Sequence, residues 1–185
     1  AAYKLLSEKG PLPIRVNVML AASDPLYLDR LGEGYFRSDD DTLTINSVKI
    51  VGDGALGSRG AALIEDYSDD SGNRGLLRYD DERLEFLMRV AMNAGFQVNT
   101  HAIGDNANMK VLDNYERLIT ETSTRNLRHR IEHAQILRYE DILRFAKLGV
   151  IPSMQATHAT SDKNMAEDRI GEVRIQGAYA WRKLI

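Results

Sequence analysis

His101 and His133 are the residues of this sequence best placed to do chemistry. Each closes a short β-rich run, VNTH and RIEH, and each is followed by a stretch with helical periodicity. They lie 133 − 101 = 32 residues apart, about one strand, one helix and two loops of an α/β repeat. Two imidazoles leaving consecutive β-α units at equivalent places point to a metal site, because neutral imidazole is the commonest protein metal ligand. The plainer reading is that each ring hydrogen-bonds loop backbone at its strand end. With no cysteine in the chain, thiolate ligation and disulfides are excluded, and any metal must be held by His, Asp, Glu or a modified Lys.

Other candidates surround this pair. Lys49 sits near the end of the run LTINSVKIV, where a lysine serves as a snorkelling or salt-bridging residue or, carboxylated by carbon dioxide, as a carbamate bridging two divalent ions. His158 follows VIPSMQ and is divided between substrate contact and loop packing, whereas His129, at the start of its own run, reads as structural. Gly52, Gly54 and Gly57 spell G-x-G-x-x-G, the dinucleotide fingerprint, which requires a long helix and then a strand carrying an acid. Here ALIEDY breaks into SDDSGNRG. The segment therefore reads as a flexible loop over a site, with Asp53, Ser58 and Arg59 available to substrate, and a nucleotide-binding oxidoreductase is a weak reading. No nucleophile elbow or Walker A loop is present.

The elements that must position these residues are legible in part. Ala2–Glu8 reads as the end of a helix, Ile14–Leu20 as a strand, 22–42 as a polar loop, and Leu43–Val51 as the strand that carries Lys49. Asp80–Ala94 has Leu84, Leu87, Met88 and Ala91 at helical spacing with Gly95 after it. Asp105 or Asn106 can cap a helix running to about Glu121. Arg128–Ala134 is the next strand. Tyr139–Leu148 is a helix with Ile142, Leu143, Phe145, Ala146 and Leu148 on its apolar face, Val150–Gln155 a last strand, 161–174 a polar tail, and Gly177–Ile185 helical. The βαβαβα order implies a parallel sheet. The polar stripe Gln97, Asn99 and His101 favours a barrel interior over an open sheet buried under helices on both faces.

Bulk properties narrow the class. Hydrophobic residues at 43% and charged residues at 28% are ordinary for a globular chain, so disorder is not expected. A net charge of −3 and a pI near 5.8 offer no cationic field for nucleic acid. No apolar run reaches the roughly 18–20 residues of a membrane span, and no signal-like segment opens the chain, so a soluble, cytoplasmic protein is expected. At 185 residues the chain falls short of the roughly 250 of a complete (β/α)8 barrel. Both ends read as cut from a longer protein.

Taken together, THAIGDNAN, RHRIEHAQI, LGVIPSMQATH, VKIVGDGALGSRGAAL and AEDRIGEVRIQGAYAWR resemble the amidohydrolase superfamily, specifically its family 3 branch, which includes N-substituted formamide deformylases. The resemblance covers nearly the whole chain. It implies one partial (β/α)8 TIM-type barrel over residues 1–185, from about the third barrel strand to the helix after the seventh. It also implies a divalent ion, most simply Zn²⁺, with His101 and His133 as the fifth- and sixth-strand ligands and Lys49 as the fourth-strand bridging lysine. Asp53, Arg59 and His158 would be substrate contacts, and the substrate a small amide or formamide. The family's H-x-H pair and its eighth-strand aspartate have no counterpart here, so an inactive, weakly metal-binding, self-associating fragment is expected. Asn106 and Ala156 replace the family's usual arginine and proline. A non-catalytic binding or regulatory domain on the same barrel is the alternative.

Overall fold

A computed structural model describes residues 2–185. Five strands form a parallel sheet: β1 (Val16–Ala21), β3 (Leu43–Val51), β4 (Gln97–Ala102), β5 (Arg130–His133) and β6 (Ile151–Ser153), side by side in that order. A two-residue strand, β2 (Phe36–Arg37), pairs antiparallel with Thr44 and Ile45 at the start of β3, before β4 joins that strand from Ser47 onward. Spatial order follows chain order without reversal. A doubly wound sheet has a switch point where that order reverses, so this is singly wound, the topology of a partial (β/α)8 barrel.

The crossover helices show why. The helices α3 (Asp81–Asn93), α4 (Asp105–Thr122) and α5 (Tyr139–Leu148) pack on one face of the sheet. Leu87, Met88, Leu112, Tyr115, Leu118 and Phe145 close a core against Val48, Ile50, Val98 and Ile131. The other face carries Ser47, Lys49, Asn99, Arg130 and Glu132, polar residues that a helix-covered face would not accept. In α3 the Asp80 carboxylate caps the helix by accepting from Arg83 N at 2.7 Å. The helix α5 ends at Gly149 in the left-handed conformation.

Several expected elements differ. Gly104, not Asp105, holds the N-cap position of α4, and Asp105 instead accepts from Ile64 N at 3.0 Å. Leu143 and Ala146 of α5 are exposed, because the buried stripe follows Ile142, Phe145 and Leu148 at strict i, i+3 spacing. The segment 22–42 contains β2 and the short helix α2 (Tyr27–Gly32), pinned by buried Tyr27 and Leu31, with the Tyr27 hydroxyl donating to Leu87 O at 3.0 Å. The polar tail is helical, as α6 (Ala156–Asp162) and α7 (Ala166–Arg174). It has no long apolar stripe because α7 buries only Ala166 and Ile170 and is kinked at Gly171 (φ 74°). The last residues hold only a one-turn helix, Trp181–Leu184. Among the described residues no helix is long and apolar enough to cross a membrane.

Candidate metal centre

His101 and His133 meet at the C-terminal ends of adjacent strands. Parallel pairing sets His101 opposite Glu132 and Ala102 opposite His133, so strict alternation would send His133 beneath the helices with Ala102. It does not go there. His133 and Ala134 adopt positive φ, 79° and 43°, conformations that cost a non-glycine residue of order 1–3 kcal/mol and gather at functional sites. The turn brings the two rings edge to face, centroids 4.5 Å apart at 74°. Two imidazoles on one tetrahedral ion have ring centres about 5 Å apart, so the spacing suits shared ligation.

The nitrogens are differently occupied. His133 Nδ1 lies 2.6 Å from Gln155 Oε1, while the Gln155 amide nitrogen donates to Ser153 O at 3.2 Å. Oε1 is thereby the acceptor, Nδ1 carries the proton, and Nε2 is left bare for a ligand. Gln155 is a positioning residue that the sequence reading missed; its place just past β6, level with the histidines, is the signal that could have found it. His101 Nε2 is buried without a hydrogen-bond partner. It approaches Asp53 Oδ1 at 3.2 Å, but at an angle outside hydrogen-bond geometry. Burial pulls the His133 pKa down, opposed by the Gln155 contact and reinforced by His101 and Lys49, so the ring is held neutral, the form that ligates.

Lys49 is half-buried on the same inner face. Its pKa is lowered, first by burial, with Glu132 opposing and Arg130 assisting. Glu132 and Arg130 lie 2.7 Å apart (Oε1 to Nη2) without aligned hydrogen bonding. Unpartnered buried atoms thus collect on this face: Asn99 Oδ1, His101 Nε2, Arg130 Nε and Glu132 Oε1. The inner face is thus polar where the opposite face of the sheet is apolar. His158 stacks on His133, centroids 5.1 Å apart at 18°, and joins the cluster.

Two of the expected substrate contacts hold internal partners. Asp53 is wholly buried, accepting from Ile103 N at 3.0 Å, Gly104 N at 2.8 Å and Ala62 N at 3.0 Å. It fastens the 52–79 segment to the turn after β4. Arg59 is committed to Asp69 through Nε at 3.1 Å and Nη2 at 2.9 Å. The segment is therefore docked, not free. A Cβ on Gly104 would stand 1.9 Å from Ala62 O, and one on Gly52 would stand 2.7 Å from His101 O, so both positions need glycine for close backbone approach. His129 is sealed away: Nδ1 accepts from Val98 N at 3.0 Å and Nε2 donates to Thr124 Oγ1 at 3.1 Å. A concavity of about 680 Å³, lined by Ser68, Asp105, Arg138 and Arg174 among others, includes neither imidazole of the pair.

The donor set suits a borderline ion. Two imidazoles, His133 with a bare Nε2 and His101 without a hydrogen-bond partner at its own, beside a half-buried lysine and unpartnered oxygens, fit a divalent metal such as Zn²⁺. They do not complete it. Among the described residues no group of three or more His, Asp or Glu side chains converges as a ligand set.

The barrel topology brings both imidazoles to the strand ends that form the ligand face, and comparison with known proteins shows the family. The chain belongs to the amidohydrolase family, whose model matches residues 1–185. It is 36% identical over 188 residues to YtcJ of Bacillus subtilis (strain 168), which is named as an amidohydrolase, covering 100% of this chain and 34% of that protein. It is 37% identical over 144 residues to LONG AFTER FAR-RED 3 of Arabidopsis thaliana, covering 77% of this chain and 25% of that protein. The crystal structure of an uncharacterized metal-dependent hydrolase from Pyrococcus horikoshii OT3 superposes with a TM-score of 0.84 at 33% identity, over 99% of this chain and 36% of that one. A counterpart from Pyrococcus furiosus gives 0.83 at 33%, over 100% and 37%. The chain thus spans about a third of the length of most of these relatives.

Proposed function

We propose that this chain is the central part of the catalytic barrel of a metal-dependent hydrolase that cleaves a C–N bond other than a peptide bond, in a small amide or formamide. The observation that carries this is the convergence of the His101 and His133 rings at adjacent strand ends. His133 offers Nε2, with Gln155 holding its tautomer. His101 supplies the second nitrogen, and Lys49, as free amine or carbamate, lies on the same face. When bound, a divalent ion, in our reading Zn²⁺, lowers the pKa of water and polarises a carbonyl. The chain's own residues hold His133 neutral, line the inner face with polar groups, and stack His158 on His133, which we read as a substrate contact.

Two imidazoles are a poor site alone. We infer that the 185-residue chain binds Zn²⁺ weakly and does not hydrolyse amides, the H-x-H pair being absent from its sequence. The second reading is a non-catalytic binding domain on the same scaffold; an H-x-H pair and an aspartate in the flanking sequence of the full protein would favour the enzyme, and their absence the binding domain. Calorimetric titration with Zn²⁺ tests the site: weak saturable binding is expected, lost in both His101→Ala and His133→Ala. Binding that is unchanged in both variants removes the reading.

A further inference from the structure

Asp53 has more to it than loop anchorage. Its three backbone donors divide unevenly, Ile103 N on Oδ1, and Ala62 N with Gly104 N on Oδ2. A carboxylate offers about four lone-pair sites, so one remains, on Oδ1. The group beside that oxygen is His101 Nε2, at 3.2 Å and without any other partner. The carboxylate is wholly buried, so no competing water-exposed orientation is open to it. The same carboxylate grips the backbone two and three residues beyond His101, and Gly52 N donates to His101 O at 2.9 Å. Asp53 thus holds the chain that follows His101 and stands beside its ring.

We propose that Asp53 is a positioning residue for His101: Oδ1 accepts the Nε2 proton, fixes that tautomer, and leaves Nδ1 as the nitrogen available to a metal ion. Hydrogen bonds of this type are often misaligned in the empty state and tighten when the site is loaded. Carboxylates bonded to the distal nitrogen of a ligating histidine raise its basicity and fix its orientation, and their loss weakens metal affinity by roughly 10–100-fold. The inference rests on the proposed metal site, and it extends that site into the 52–79 segment, so the loop and the metal are coupled through one carboxylate.

Long-range ¹H–¹⁵N correlation of the histidine rings in the wild-type chain, above the imidazole titration range, reads the tautomer directly. Through-bond correlation from the backbone assigns His101 without a variant. The expected result is Nε2–H with bare Nδ1, and on adding Zn²⁺ a shift of Nδ1 with the Nε2 proton retained. Asp53→Asn, if folded by circular dichroism, is expected to bind Zn²⁺ 10–100-fold more weakly. A bare Nε2 in the wild-type chain, or undiminished Zn²⁺ affinity in folded Asp53→Asn, overturns the assignment while leaving the metal site standing. If Zn²⁺ shifts neither His101 nor His133, the metal site itself falls and takes this role with it.

Discussion

The neutral amine of a lysine is the form that adds carbon dioxide, and burial moves Lys49 towards that form. Carboxylation there yields a carbamate and releases a proton, converting a cationic neighbour of two ligands into an anionic one. Bicarbonate is therefore expected to strengthen Zn²⁺ binding several-fold in the wild-type chain and to have no effect in Lys49→Ala. A carbamate carbon signal should appear in the ¹³C spectrum after labelling. No such signal in the presence of Zn²⁺ would leave Lys49 as a plain amine. At this scale the nearness of the two histidines was legible, because each ends a strand of consecutive β-α units. The turn at His133 was not, since nothing in RIEHAQ announces a positive φ. Nor was the burial of Asp53, whose donors Ile103 and Gly104 lie about fifty residues away in sequence.

Among the elements, the start of β5 carries a titration consequence. His129 is buried and stacked on Tyr115, and its pKa is pushed down to about 4, by desolvation above all, against 6.5 when exposed. The folded value lies below the unfolded one, so the unfolded chain binds the extra proton between them and stability rises with pH across that window. The contribution is complete above about pH 6.5 and is lost as pH falls towards 4. By linkage it amounts to about 3 kcal/mol. Urea midpoints measured between these limits should fall steeply with acidification in the wild-type chain and less steeply in His129→Asn, after allowing for the smaller effect of His133. Equal slopes would remove His129 as the cause. The strand β3 and the helices α3 and α5 were read nearly to the residue, since each has a clean apolar period and a stop signal. The helices α2, α6 and α7 were not. Each is short, buries at most two side chains, and draws its stability from tertiary anchors that no local window contains.

For the whole molecule, the sheet has two open sides: among the described residues the outer edges of β1 and β6 have no partner strand. Unpaired parallel edges invite pairing with another chain. We therefore expect the 185-residue chain to run as dimers or larger species on size-exclusion chromatography with light scattering, shifting with concentration. A compact monomer at all concentrations would contradict this. The polar inner face points the same way, because its unpartnered atoms would be covered in a closed barrel. The barrel class could be inferred from the polar stripe along β4. How much of the circle this chain draws followed from its length and the motif order.

The docking of α7 against the 52–79 segment has one more consequence. Arg59 and Arg169 both grip Asp69, Ser68 N donates to Arg169 O at 2.9 Å, and Arg174 Nη2 donates to Asp66 O at 2.8 Å. Leu56, Leu63, Tyr67, Ala166 and Ile170 form a second small core beneath these contacts, together with Ile103 and Ile136 from the turns after β4 and β5. Segments a hundred residues apart in sequence are thus tied into one cooperative unit at the C-terminal ends of the strands. Their amide protons should exchange with deuterium together, faster than those of β4. Asp69→Ala should release both segments at once, and independent acceleration of only one would show that the two are not mechanically joined.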